Sequence, residues 1–132
     1  MNKSISFLLI GFMFLTACTA QTTSTAFIEI DSETFLKFRQ DKKELLLVDV
    51  RTPEEFKSGR ISGSSNVDVK QSDFESQIQK LDKNKPVVVY CLAGTRSDRA
   101  MQIMKKNGFK EVYNLKGGIE TWKKEGRPVV KQ

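Results

Sequence analysis

Histidine is absent from the 132 residues, and cysteine occurs only twice. With no imidazole, a Ser-His-Asp triad, a Cys-His protease pair and every His-ligated metal centre are excluded. Two cysteines cannot make a disulfide scaffold. Proline is scarce at 3 residues and glycine is ordinary at 8, so neither a collagen-like nor a low-complexity chain is indicated. What is present is a globular composition, 39% apolar and 29% charged, in a length that suits one domain. The net charge of +6 suits an anionic small substrate or an anionic surface. Nucleic acid is not indicated, because the basic residues are scattered among acids, with no stripe and no interleaved aromatics.

A long apolar run occurs once, from Ile5 to Leu15, broken only by Ser6 and Gly11. It falls short of the ~20 residues that span a bilayer comfortably. Lys3 precedes it and Leu15-Thr16-Ala17-Cys18 closes it, which suits the apolar core of a secretory signal. Those last four residues resemble the bacterial lipobox. The resemblance implies cleavage before Cys18 and a diacylglyceryl group on its thiol. The chain then divides into a signal peptide (1–17), a lipidated cysteine with an uncharged tether (18–26) and a domain (27–132). Lipid on Cys18 would place that domain in the bacterial cell envelope, facing the periplasm. Thr19, by likeness to enterobacterial lipoproteins, favours the outer membrane. Stable anchoring takes two or more acyl chains. Once Cys18 carries lipid, Cys91 is a lone thiol in an oxidising compartment and no internal disulfide can form.

Along the rest of the chain, strand and helix patterns alternate. Phe27–Ile30, Leu45–Val48, a short stretch at Asn66-Val67, Val87–Tyr90 and Val112–Leu115 read as strands. The runs at 45–48 and 87–90 are apolar throughout, as in strands covered on both faces. Between them lie helix starts: Asp31 or Ser32; Thr52-Pro53-Glu54-Glu55, with cap, first-turn proline and capping-box glutamate together; and Ser72-Asp73-Phe74-Glu75, a second capping box. The third helix should carry Phe74, Ile78 and Leu81 on one face, the fourth Ala100, Ile103 and Met104, and the last Ile119 and Trp122. The βα alternation predicts an α/β fold with a mostly parallel five-stranded sheet and helices on both faces.

The segment Cys91-Leu92-Ala93-Gly94-Thr95-Arg96-Ser97 leaves the most apolar strand and enters a helix. Helix N-termini carry unpaired N–H groups and partial positive charge. Gly94 allows φ > 0, so successive amides can curl round an anion. Arg96 adds a fixed charge, although a cation fits poorly with this end of the helix dipole unless an anion sits nearby. A cysteine here should have a lowered pKa without any base to take its proton. The bland alternative is a small buried residue closing a strand.

Four motifs in order resemble those of single-domain rhodaneses. They are Leu47-Val48-Asp49-Val50-Arg51-Thr52-Pro53-Glu54-Glu55-Phe56, Gly59-Arg60-Ile61-Ser62-Gly63-Ser64, Cys91-x-x-Gly94-x-Arg96-Ser97, and Gly117-Gly118-Ile119-x-x-Trp122 with Gly126-x-Pro128. Arg60 and Ser62 stand where the family usually has His and Pro. The resemblance implies a rhodanese-like fold and a sulfurtransferase that needs no cofactor or metal. Cys91 would take a sulfane sulfur as a persulfide. The loop residues Leu92, Ala93, Gly94, Thr95 and Ser97 would stabilise it, and Arg96 would hold a small anionic donor such as thiosulfate. The acceptor would be a thiol, cyanide or a protein, and the chain a monomer. Related phosphatases have a loop one residue longer between Cys and Arg, which favours sulfur over phosphate here. Asp49 and Arg51 read as structural supports for neighbouring loops. The alternative is a non-catalytic rhodanese-like module that binds a partner or senses oxidant or persulfide through Cys91.

Overall fold

Residues 24–42 and 44–132 are described in a computed structural model. The signal segment, Cys18 and the first part of the tether lie outside the described residues. The order is β1 (Ala26–Ile30), α1 (Ser32–Asp41), β2 (Leu46–Asp49), α2 (Pro53–Ser58), β3 (Ser65–Asn66), α3 (Phe74–Ile78), β4 (Val87–Tyr90), α4 (Thr95–Lys106), β5 (Glu111–Leu115) and α5 (Gly118–Lys124). The five strands form one sheet in the order β1-β5-β4-β2-β3, and every pairing is parallel. The predicted alternation is therefore the observed one.

The sheet is buried on both faces. Val87, Val88, Val89 and Tyr90 of the central strand are all fully buried. The strand pleat sends Val87 and Val89 to one side, with Phe74 and Ile78 of α3 and Ala100, Met101 and Met104 of α4. Val88 and Tyr90 go to the other, with Phe35 of α1 and Ile119 and Trp122 of α5. Burying each such side chain contributes roughly 1.5–3 kcal/mol, so β4 is the anchor of the sheet.

Helix starts follow the sequence at two places and depart from it at one. Asp31 caps α1 by accepting from the Thr34 amide at 2.8 Å. Thr52 caps α2 in a reciprocal box: its hydroxyl accepts from the Glu55 amide, and the Glu55 carboxylate accepts from the Thr52 amide at 3.0 Å. The second expected box does not form. Asp73 holds the cap position of α3 at φ −93°, ψ 8°, without the extended backbone that aims a capping side chain, and it bonds no backbone amide. Its carboxylate accepts from the Gln77 side chain instead. The helix closes at Ile78, which leaves Leu81 beyond its end though still packed on the same core. Burial of Phe74 and Ile78 holds this short helix, as tertiary packing does for most helices.

The topology also sets where a ligand can enter. From β2 the chain runs outward to β3, while from adjacent β4 it runs the opposite way to β5. The carboxyl ends of β2 and β4 thus flank the switch point at which α/β sheets bind ligands.

Two left-handed glycines flank α5 in unlike surroundings. Gly118 opens α5 at φ +58°, and a Cβ there would come within 2.6 Å of the Leu92 carbonyl oxygen and closer still to that of Cys91. Gly126 has a similar φ of +71° but open space around it. Gly126→Ala should lose only the left-handed backbone preference, about 1 kcal/mol. Gly118→Ala should lose that and the backbone packing, on the order of 3 kcal/mol in total. Urea unfolding of the two variants checks this; equal losses would contradict the packing role of Gly118.

Candidate functional site

Cys91 is the first residue past β4, and its side chain is drawn in rather than out: the residue is 1% exposed. Three features hold it there. The Ile119 and Glu120 amides of α5 donate to the Cys91 and Leu92 carbonyls at 2.9 and 3.0 Å, fixing the loop's first two peptides. Gly94 takes φ +111° at the cap of α4, turning the chain back over the sulfur. The Gly94 amide then donates to Cys91 Sγ at 3.1 Å.

A second donor reaches the sulfur from α4. Ser97 Oγ lies 3.3 Å from Cys91 Sγ and 3.1 Å from the Gly94 carbonyl, and its one proton can serve only one of them at a time. Asn114 of β5 bears on that choice, because its side-chain N–H donates to the same Gly94 carbonyl at 3.1 Å. With that carbonyl already satisfied, the Ser97 hydroxyl is free to point at a thiolate. Burial pushes the Cys91 thiol pKa up, but the Ser97 hydroxyl and the Ser97, Gly94 and Ala93 amides outweigh it, and the net direction is down. The remaining expected loop residues lie as follows. Leu92 is 46% exposed at the mouth, Ala93 is exposed beside it, and Thr95 is the exposed first residue of α4.

Arg96 points across the switch point. Its Nη1 and Nη2 donate to the two carboxylate oxygens of Glu55, each at 2.8 Å, so helix α4 after β4 is tied to helix α2 after β2. The Arg96 fork, expected to face a donor anion, is thus closed by an internal carboxylate. That carboxylate also resolves the misfit of a cation at a helix N-terminus. The Arg96 guanidinium holds the Glu55 carboxyl at about 2, well below the ordinary carboxylate range. A depressed carboxyl contributes stability above its unfolded pKa and loses it as pH falls through the folded value, so the pair is intact throughout neutral and mildly acidic solution. Sequence spacing could not show this contact. Glu55 was legible only as a capping residue, and it fills that role with the same carboxylate.

Asp49 and Arg51 form a buried support under this crevice. Arg51 donates through Nε to Asp49 Oδ1 at 2.9 Å and through Nη2 to Oδ2 at 2.6 Å, and Nη2 also reaches the Gly59 carbonyl at 2.7 Å. Neither residue is more than 3% exposed. The pair fastens the end of β2 to the end of α2, and the Asn66 side chain adds bonds to the Asp49 and Arg51 carbonyls. Nearby, the buried Tyr90 hydroxyl accepts from the Ile61 amide at 3.1 Å and meets the Ser64 hydroxyl at 3.0 Å. Asn114 and Tyr90 carry no sequence signal beyond being polar groups in apolar strands.

A cavity of 520 Å³ lies at the carboxyl ends of β1 and β5, and Glu29, Asp31, Glu125 and Lys116 are among its lining residues. Its excess of acids makes it a poor anion site, unlike the donor-lined Cys91 loop. Among the described residues, no group of three or more Cys, Asp or Glu side chains is placed to share a metal ion.

Comparison with known proteins covers the domain that carries this loop. The profile of the rhodanese-like domain matches residues 32–125. A protein named sulfurtransferase from Allochromatium vinosum is 35% identical over 102 residues, covering 77% of this chain and 94% of that one. A tRNA uridine(34) hydroxylase from Pelagibacter ubique is 41% identical over 91 residues, which is 68% of this chain and 30% of that longer protein. The crystal structure of a rhodanese-related protein from Thermoplasma volcanium superposes with a TM-score of 0.69 at 29% identity, covering 79% of this chain and 98% of that one. A five-stranded parallel sheet with helices on both faces, a cysteine at the end of its central strand and a profile match across the domain leave one assignment: the chain belongs to the rhodanese-like family.

Proposed function

We propose that the protein is a sulfurtransferase that carries a sulfane sulfur on Cys91, from a small anionic donor such as thiosulfate to a thiol, cyanide or protein acceptor. The observation that carries this reading is the convergence of the Gly94 amide and the Ser97 hydroxyl on one buried sulfur. A thiolate held this way is a nucleophile at neutral pH without a general base. It attacks the outer sulfur of the donor. The new S–S bond forms on Cys91 as the old one breaks, and the bonding pair leaves on sulfite when thiosulfate is the donor. The persulfide anion that remains is held by the same amides and hydroxyl that held the thiolate. An acceptor nucleophile then takes the outer sulfur and returns Cys91 to its thiolate. The exposed Leu92 makes the loop mouth apolar, which suits an organic or protein-borne acceptor as well as cyanide. In the same reading, lipid on Cys18 tethers the domain to the cell envelope, and the support for that is the sequence around Lys3, Ile5–Leu15 and Cys18.

Three outcomes follow. Cys91→Ser should abolish sulfur transfer from thiosulfate to cyanide, and mass spectrometry should find a sulfur-atom adduct on the donor-treated wild type only. A full-rate Cys91→Ser protein would overturn the persulfide reading. Ser97→Ala removes a donor to an anion, so the acid limb of the kcat/KM profile should move to higher pH. The rate constant at neutral pH should fall about tenfold. An unmoved limb would show that the amides alone hold the thiolate. Cys18→Ser should shift the protein from the membrane to the soluble fraction of its cell; identical fractionation of variant and wild type would remove the anchor from the reading.

A further inference from the structure

The carboxylate that closes the Arg96 fork stands in the way of any anion that would use it. Both terminal nitrogens of the guanidinium are engaged by Glu55, and the two side chains are only 22% and 32% exposed. Asp68, itself buried, and the Cys91 sulfur also lie within electrostatic reach of Arg96. The charge that Arg96 could offer a donor is thus already balanced within the fold. What remains for an incoming anion is the loop amides, the Ser97 hydroxyl and the start of α4.

Resting on the sulfurtransferase reading of Cys91, we propose that Glu55 determines donor selectivity: its carboxylate competes with the donor for the Arg96 fork and disfavours dianionic donors relative to monoanionic ones. Two donors of like chemistry differ in this one respect. Thiosulfate is a dianion, and methanethiosulfonate is a monoanion in which a methyl group replaces one oxygen. In both, Cys91 thiolate bonds to the outer sulfur and the old S–S bond breaks. Its electron pair leaves on sulfite in one case and on methanesulfinate in the other. Charge balances in each, and no oxidant is consumed. Coulomb energy scales linearly with ligand charge, so a fixed carboxylate opposes the dianion about twice as strongly as the monoanion.

Glu55→Gln removes the charge and keeps the side chain's length, and glutamine can fill the same capping-box position, so α2 should persist. In the full chain, with cyanide as acceptor, this variant should lower the KM for thiosulfate about tenfold, within the range of a charge-assisted contact. For methanethiosulfonate the fall should be about threefold, the square root of the first, because half the charge is involved. In an Arg96→Ala background the Glu55 carboxylate is left without its counter-charge and still opposes both donors, so Glu55→Gln should again lower the KM for thiosulfate by the larger factor. With Arg96 in place, the same substitution should move the alkylation midpoint of Cys91 to lower pH, because Arg96, which lies within electrostatic reach of the sulfur, loses the carboxylate that balances it. Glu55→Ala, which also loses the cap, should change the ratio of the two KM values in the same direction.

If Glu55 merely holds Arg96 in place, Glu55→Gln raises both KM values or leaves their ratio at the wild-type value, and the proposal is overturned while the sulfurtransferase reading stands. A wild-type chain that accepts sulfur from neither donor overturns both together.

Discussion

The site depends on a sulfur atom that is removed from water and yet met by donors. Burial alone would keep Cys91 protonated and inert, and exposure alone would leave it an ordinary thiol. The loop avoids both outcomes because β4 delivers the sulfur into the domain and Gly94 then turns the backbone so that its own amide points back at it. Solvation by water is replaced by fixed dipoles, which in the proposed reaction need no reorganisation as negative charge passes from thiolate to persulfide. Such preorganisation is effective only if the dipoles cannot drift. That is why the neighbouring contacts are to the loop's carbonyls: α5 amides on Cys91 and Leu92, and Asn114 on Gly94.

On the proposed reading, this arrangement lets a rhodanese-like chain without histidine support nucleophilic chemistry. A histidine would accept the thiol proton, whereas here the electrostatic environment makes a proton acceptor unnecessary. The second half of the crevice supplies balance rather than extra charge. Glu55 and Arg96, 41 residues apart, neutralise one another across the gap between β2 and β4. Asp49 and Arg51 do the same in a fully buried setting beneath it. Buried pairs of this kind add little net stability against an apolar alternative, but they fix geometry, because either partner alone would be an uncompensated charge. The Glu55–Arg96 pair thus spans the crevice, Asp49 and Arg51 fix its β2 side, and the Cys91 loop is held by backbone and neutral donors.

Much of the fold was legible in the sequence because the signals are local. The apolar runs of β2 and β4, the capping box of Thr52 and Glu55, and the cap at Asp31 each act over a few residues, and all appear where the pattern places them. Ser72-Asp73-Phe74-Glu75 fits the same capping pattern but does not form it. There the burial of Phe74 and Ile78 decides the backbone, and a cap worth about 1 kcal/mol cannot override it.

For the site, the sequence by itself determined the order of β and α elements, the position of Cys91 between a buried strand and a helix start, and the need for glycine at 94. These follow from periodicity, from the conformational freedom of glycine and from the unpaired amides of a helix N-terminus. Only the tertiary structure decided what the side chains of the loop face. The strand order places β2 beside β4, which brings Glu55 to Arg96, and β5 on the other side, which brings Asn114 under Gly94. Long-range pairing of this kind depends on which strands are neighbours, and no property of a short window of residues encodes it.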